Sequence, residues 1–228
     1  MTTNHASRKL AATGFSRLLS MPLLLGAVLF GAAGTFDYWE AWLYLAVLFV
    51  PMAALLIYLM KKAPDLLERR MRLKEQSSRQ RWVIGLSILL FFVVYALPGL
   101  DRRYGWSAVS TPVVWLADLL VVLGYGLFAL VLRENRYAAR TVTVDQGQQV
   151  ITTGPYALVR HPMYLAMSLL FIASPVGLGS WWAALPALAL PVLLVPRIQN
   201  EEALPSKELP GYQEYMEKTS YRLIPGLW

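Results

Sequence analysis

Apolar residues along this chain fall in long, nearly unbroken blocks, with the charges gathered in the gaps between them. The blocks cover about residues 18–33, 38–60, 82–100 and 113–132. Each is near the ~20 residues an α-helix needs to cross a bilayer. A fifth apolar region, 163–198, is too long for one helix and carries the turn-like SPVGLGS at 174–180, so it reads as a hairpin of two shorter helices. The expected fold is therefore all-α: a polytopic membrane protein of about six transmembrane helices, the last two a short helical hairpin.

Composition agrees, since 57% of the 228 residues are hydrophobic and only 15% charged. Mean hydropathy is +0.45. The first block, with Arg8, Lys9 and Arg17 before it and Ala32-Ala33-Gly34 after it, has the outline of a signal peptide. The short link GTFDYW favours instead an uncleaved first helix paired tightly with the second. Counted loop by loop under the six-span arrangement, 19 of the 21 lysines and arginines fall on one face, and only Arg102 and Arg103 on the other. The positive-inside rule then puts both termini in the cytoplasm, and the inner or plasma membrane of a bacterium is the expected location. The net charge of +7 is thus mostly a signal of topology, and no nucleic-acid partner is expected.

The chain divides at about residue 81, into a helical hairpin with a basic interfacial loop (1–81) and a membrane-embedded catalytic region with a cytoplasmic carboxyl-terminal segment (82–228). The loop 61–81, KKAPDLLERRMRLKEQSSRQR, spaces Leu66, Leu67, Met71 and Leu73 as one apolar helix face and reads as a helix lying on anionic headgroups. Within the spans, Glu40 and Asp118 need an explanation, because buried charge in a bilayer is costly. Both lie near outer ends, where snorkelling or pairing with Arg102 or Arg103 is expected.

Several chemistries are excluded. Without cysteine there is no thiol nucleophile, disulfide or thiolate metal site, and two histidines, one of them in the amino-terminal tail, give no metal set. No GxGxxG follows a strand and no strand-helix alternation is present, so a soluble nucleotide-binding α/β domain is ruled out. The one strand-like run, TVTV at 141–144, is expected to cover part of a cytoplasmic pocket.

Three polar clusters meet on the cytoplasmic side: RENRYAAR (133–140), GPYALVRHPMY (154–164) and RIQNEEALP (197–205). Pro162 suits the first turn of a helix, which puts His161 or Arg160 at the cap beside backbone donors that favour an anion. Arg197 and Glu201, four residues apart, share a helix face. Each feature also has a plain reading: an ordinary surface ion pair, a packed histidine, and Tyr156, Tyr164, Tyr212 and Tyr215 as interfacial belt residues.

Taken in order, GPYALVRHPMY, a short apolar hairpin, RIQNEEALP and GYQEYMEKTSYRLIP resemble the isoprenylcysteine carboxyl methyltransferase family and the related phospholipid methyltransferases. The resemblance covers about Asn135 to Trp228 and none of the first two spans. It implies an integral membrane enzyme that methylates a lipophilic acceptor from the bilayer, with S-adenosylmethionine as cofactor in a cytoplasmic pocket. It further implies a cofactor site of Gln148, Gln149, Val150, Ile151, Tyr156, His161, Pro162, Met163, Tyr164 and Glu201, with Thr141 at a variable position. Arg197 matches the arginine that addresses the acceptor, and Asn135 is placed with it on the acceptor side. Gln148 stands where the family often has histidine.

An acceptor carboxylate is already a nucleophile and needs only a cation to hold it, whereas an amine arrives protonated and needs a base, for which Glu202 or His161 would serve. The carboxylate is the favoured reading. Phospholipid amine N-methylation, an NADPH-dependent sterol-type reductase and a non-enzymatic scaffold or transporter are the alternatives. Sterol reductases usually carry an acidic-x-x-x-Cys element after the last span, where this chain has EEALP. The sequence leaves the oligomeric state open.

Overall fold

The computed structural model describes residues 2–71, 78–138 and 147–228, with 2–11 and 78–84 as backbone. The TVTV run and Thr141 lie outside the described residues. Those described are helical wherever they are regular. Helix α1 spans Thr2–Ala33, α2 Trp39–Lys62, α3 Pro64–Met71, α4 Ser78–Tyr104 and α5 Thr111–Glu134. A single 3-10 turn, Gly154–Ala157, precedes α6, Pro162–Gly177. Then come α7 Trp181–Ala187, α8 Ala189–Ala203, α9 Pro205–Glu208 and α10 Tyr212–Lys218.

Five stretches have membrane-spanning length and hydropathy: Ala12–Ala33, Trp39–Lys62, Gly85–Tyr104, Thr111–Glu134 and the broken rod Trp181–Glu208. The shorter apolar helix α6 is the sixth member of the bundle. Side chains that would be stranded in water on a soluble protein, such as Leu23, Leu24, Val50 and Leu119, face outward. That is the expected arrangement where the surrounding medium is hydrocarbon.

The hairpin departs from expectation at two points. The turn is confined to 178–180, because α6 runs on through Pro175. Helix α6 absorbs that proline close to its carboxyl end, so the disruption falls where the helix is about to stop. The returning arm is also not one helix: it breaks at Leu188, just after Pro186, and restarts as α8.

Hydrogen bonds tie together the helix ends around residues 38–40, 101–107 and 178–183. Asp101 accepts from the Ser107 backbone N–H at 2.7 Å and from the hydroxyls of Ser107 and Ser180 at 2.5 Å each. Ser180 in turn caps α7 by accepting from the Ala183 N–H. Tyr38 donates to the Leu178 carbonyl at the turn. Glu40 pairs with Arg102 at 3.6 Å, as expected. Asp118 does not pair with Arg102 or Arg103: both its carboxyl oxygens are buried without a partner among the described residues. It packs where Gly177 leaves no room for a side chain, since a Cβ there would lie 2.5 Å from Asp118 Oδ1.

The interior is built from α1, α2, α4, α5, α6 and α7 around Leu29, Tyr44, Val94, Val121 and Leu178. Tyr44 shares its hydroxyl with Tyr95 at 2.9 Å and Ser174 at 2.6 Å, so three polar groups satisfy one another inside the bundle. Helix α5 packs mainly on α6, and α1 on α4. The α1–α4 crossing is close because of Gly99, where a Cβ would sit 2.6 Å from the Leu29 carbonyl oxygen and 2.7 Å from Ala32 Cβ. Small residues at such crossings let backbones approach, which is the main source of attraction between helices in lipid.

Gly99→Ala is therefore expected to separate α1 from α4 and to lower stability by about 1–3 kcal/mol. Gly126→Ala, where a Cβ meets open space, is the control and should not. Thermal unfolding of the two variants in detergent compares them.

Candidate active site

At the other end of the bundle the carboxyl-terminal ends of α5 and α8 meet the start of α6, and a cleft opens between them. It holds about 960 Å³ of space, a figure that includes its open mouth. Its walls contain Gln148, Gln149, Val150, Ile151, Tyr156, His161, Pro162, Met163, Tyr164 and Glu201, expected together from the sequence, and Asn135, expected on the acceptor side. Tyr137, Ala138, Arg160, Pro205, Leu209, Tyr212 and Tyr215 line it as well. Residues far apart in sequence, from 135–138 and 148–164 and from 201–215, thus wall one cavity.

Local rules place each side chain. His161 is the N-cap of α6 and Pro162 occupies the first turn, where its missing N–H costs nothing. The ring of His161 stacks on that of Tyr164, one turn on, at 5.9 Å between centroids. Upstream, Gly154 has φ +58°, a left-handed conformation, and runs so close to Glu134 that a Cβ would lie 3.3 Å from its carboxyl carbon. Thr153 donates its hydroxyl to the same Glu134, which anchors the 3-10 turn to the end of α5. Asn135, the C-cap of α5, donates to the Tyr156 hydroxyl at 2.8 Å. Tyr215 donates to the Tyr156 carbonyl. Tyr156 is therefore fixed at both ends, and burial raises its phenol pKa above the ordinary value. Burial likewise pushes Tyr212 up to about 12, so both phenols are neutral donors at physiological pH.

The two adjacent glutamates do different things. Glu202 is 7% exposed and is not part of the cleft wall. His161 Nε2 lies 3.1 Å from its Oε1, and Arg222 Nε donates to its Oε2 at 2.9 Å. Arg160 Nε is also 2.9 Å from Oε1, although its N–H does not point along that line, so it contributes charge rather than a hydrogen bond. This changes two expectations from the sequence. Arg160 meets an anion of the protein itself, and Glu202 is enclosed by three basic groups, a poor setting for a base that must take up a proton. The backbone N–H groups of Arg160 and His161 are engaged as well, by the carbonyls of Tyr221 and Arg222 at 2.9 Å each.

Glu201 faces the cleft. Its Oε1 accepts from the Tyr164 hydroxyl and from Arg197 Nε at 3.3 Å. Oε2 is 3.9 Å from His161 Nδ1, too far for a hydrogen bond. Because a carboxylate only accepts, the His161 hydrogen sits on Nε2 toward Glu202, and in the neutral ring Nδ1 is an acceptor beside Glu201 Oε2. Arg197 donates to the Tyr164 hydroxyl at 2.6 Å and stands behind Tyr164 and Glu201, off the cleft wall. The sequence reading did not assign Tyr212 and Tyr215 to the pocket. Their i, i+3 spacing in GYQEY, after Gly211 with φ +81°, was the available signal.

A membrane-length helical bundle thus carries, at one end, a polar cleft walled by RHPMY at a helix start and by Glu201. Residues 112–207, less than half of the chain, match the phospholipid methyltransferase family. The match begins at α5 and stops short of Leu209, Tyr212 and Tyr215. Among relatives, 88 residues are 30% identical to the nickel-cobalt-cadmium resistance protein NccN of Alcaligenes xylosoxydans xylosoxydans, covering 36% of this chain and 39% of that one. Another 88-residue match is 32% identical to the Delta(14)-sterol reductase TM7SF2 of Mus musculus, covering 37% of this chain and 21% of that one. The chain thus matches well under half the length of either relative.

Glu202→Ala is expected to strand Arg160 in the interior and release Arg222, with a loss of roughly 3 kcal/mol. The exposed Glu214→Ala is the neutral control. The unfolding midpoints of the two variants decide whether Glu202 holds the site together.

Proposed function

We propose that this protein transfers a methyl group from S-adenosylmethionine to a lipophilic acceptor at the cytoplasmic face of a bacterial inner membrane. The observation that carries the reading is the single cleft shared by His161, Tyr164 and Glu201 at one end of a membrane-length bundle. The charge asymmetry of the loops supports the orientation.

The donor set of the cleft suits this cofactor. Glu201 Oε2 offers an anionic acceptor to a sulfonium or ammonium group, with the His161 ring beside it. Val150, Ile151, Tyr212 and Tyr215 offer apolar and aromatic surface to adenine, with Gln148 and Gln149 supplying amide groups. S-adenosylmethionine, when bound, supplies an electrophilic methyl group. The residues of the chain then orient the reactants and exclude water, which is sufficient for an in-line displacement. Glu202 acts as a positioning residue: it holds His161 so that Nδ1 faces the cleft. Arg197 sits one layer behind Glu201, which supports a place on the acceptor side, where a guanidinium can hold a carboxylate.

The enclosure of Glu202 by Arg160, His161 and Arg222 makes it a poor base for a protonated amine, which supports an acceptor that is already ionised. The family match favours a second reading, methylation of a phospholipid amine. The likeness to a sterol reductase raises a third, with NADPH in the cleft.

S-adenosylhomocysteine should raise the unfolding temperature in detergent, and NADPH should not; stabilisation by NADPH alone overturns the proposal. Glu201→Ala and His161→Ala are each expected to weaken S-adenosylhomocysteine binding by about tenfold, the worth of one charge-assisted hydrogen bond. Arg197→Ala should bind it normally and lose turnover, and normal methylation by that variant would remove Arg197 from the mechanism. With a deuterated methyl donor and membrane lipids, mass spectrometry identifies the acceptor. Mild alkali then releases the label from an ester and leaves an N-methyl group in place.

A further inference from the structure

Helix α3 has the charge of a membrane-surface helix, yet only part of it faces outward. Leu66 and Leu67 are buried and Arg70 and Met71 half-buried, while Glu68 and Arg69 are exposed. Residues 66, 67, 70 and 71 follow the spacing of one helix face, so this arginine lies on the stripe that faces the protein. Its Nη1 donates to the Ala138 carbonyl at 3.1 Å and to Met163 Sδ at 3.4 Å. Its guanidinium carbon lies 5.1 Å from the centroid of the Phe128 ring on α5. Leu66 and Leu67 belong to the same apolar cluster as Leu132 and Ala138, with Met163 packed against it.

Ala138 and Met163 both line the cleft. They belong to two different pieces of its wall, the segment leaving α5 and the first turn of α6. One nitrogen atom from outside the matched region 112–207 therefore joins both pieces. Cation-π contact with Phe128 and the apolar packing below it hold that nitrogen in place.

We propose that Arg70 is a positioning residue for the cleft, and that α2 and α3 brace its wall through this side chain. The functional part of this inference rests on the reading of the cleft as the methyl-donor site. In an unbraced cleft, the stretch around Ala138 and the start of α6 separate, and the ligand must restore their spacing when it binds. A side chain at a membrane surface thereby sets the affinity of a pocket that it does not line.

Hydrogen exchange on the full-length protein in detergent, compared among wild type, Arg70→Ala and Arg70→Lys, tests the brace directly. Arg70→Ala is expected to speed exchange in 135–138 and 147–164 while α1 and the outer ends of α4 and α5 keep wild-type protection. Arg70→Lys, whose ammonium can donate to both acceptors, should restore slow exchange. Binding of S-adenosylhomocysteine should weaken about tenfold in Arg70→Ala and recover in Arg70→Lys, with the global unfolding midpoint unchanged. Wild-type exchange in Arg70→Ala overturns the brace, and so does a general loss of protection that Arg70→Lys fails to reverse. If wild type itself does not bind S-adenosylhomocysteine, the donor-site reading falls and the exchange comparison alone judges the brace.

Discussion

One buried carboxylate organises the functional end of this molecule. Glu202 lies near the foot of α8 and draws in Arg160, His161 and Arg222, which come from two other parts of the chain. Removing a charged group from water is expensive, and the expense is offset only when opposite charges and hydrogen bonds surround it. Satisfying Glu202 therefore forces the entrance of α6 and the carboxyl-terminal tail to converge on α8. Backbone hydrogen bonds from Arg160 and His161 to Tyr221 and Arg222 reinforce the same junction. The cleft is the space left beside that junction.

The adjacency of Glu201 and Glu202 shows how a helix separates structure from chemistry. Neighbouring residues on a helix point about 100° apart, so one glutamate turns into the protein while the next faces the cleft. The inward one is enclosed by basic groups. The outward one keeps one oxygen on Tyr164 and Arg197 and turns the other toward His161. His161 bridges the two, since its Nε2 serves Glu202 and its Nδ1 lies toward Glu201. The carboxylate that faces the cleft is thus backed by a second layer of charged groups.

Much of the architecture was legible because hydrocarbon allows few solutions. Long apolar blocks must be helices, and the start of α6 follows from Pro162, whose ring belongs in a first helical turn. The i, i+4 relation of Arg197 and Glu201 appears in the structure as a 3.3 Å contact. Legibility was poorer wherever a side chain had a choice of partners. Arg160 suggested an external anion, and Glu202 a base, because sequence spacing does not reveal that the two meet each other. Asp118 suggested an ion pair and instead packs against Gly177, where the lack of a side chain makes room for it.

The sequence by itself determined the class of the molecule. Its apolar blocks fix the helices, its loop charges indicate an orientation, and the order of RHPMY and EE around one hairpin points to a methyltransferase-like site. Tertiary structure alone decided which of those polar residues face the cleft and which face each other. It also brought in Tyr212, Tyr215 and Arg70. The physical reason is the range of the forces: backbone hydrogen bonding and burial in lipid act within a segment and leave a periodic trace. Compensation of buried charge acts between segments, and it takes its partners from whatever the packed fold brings within reach.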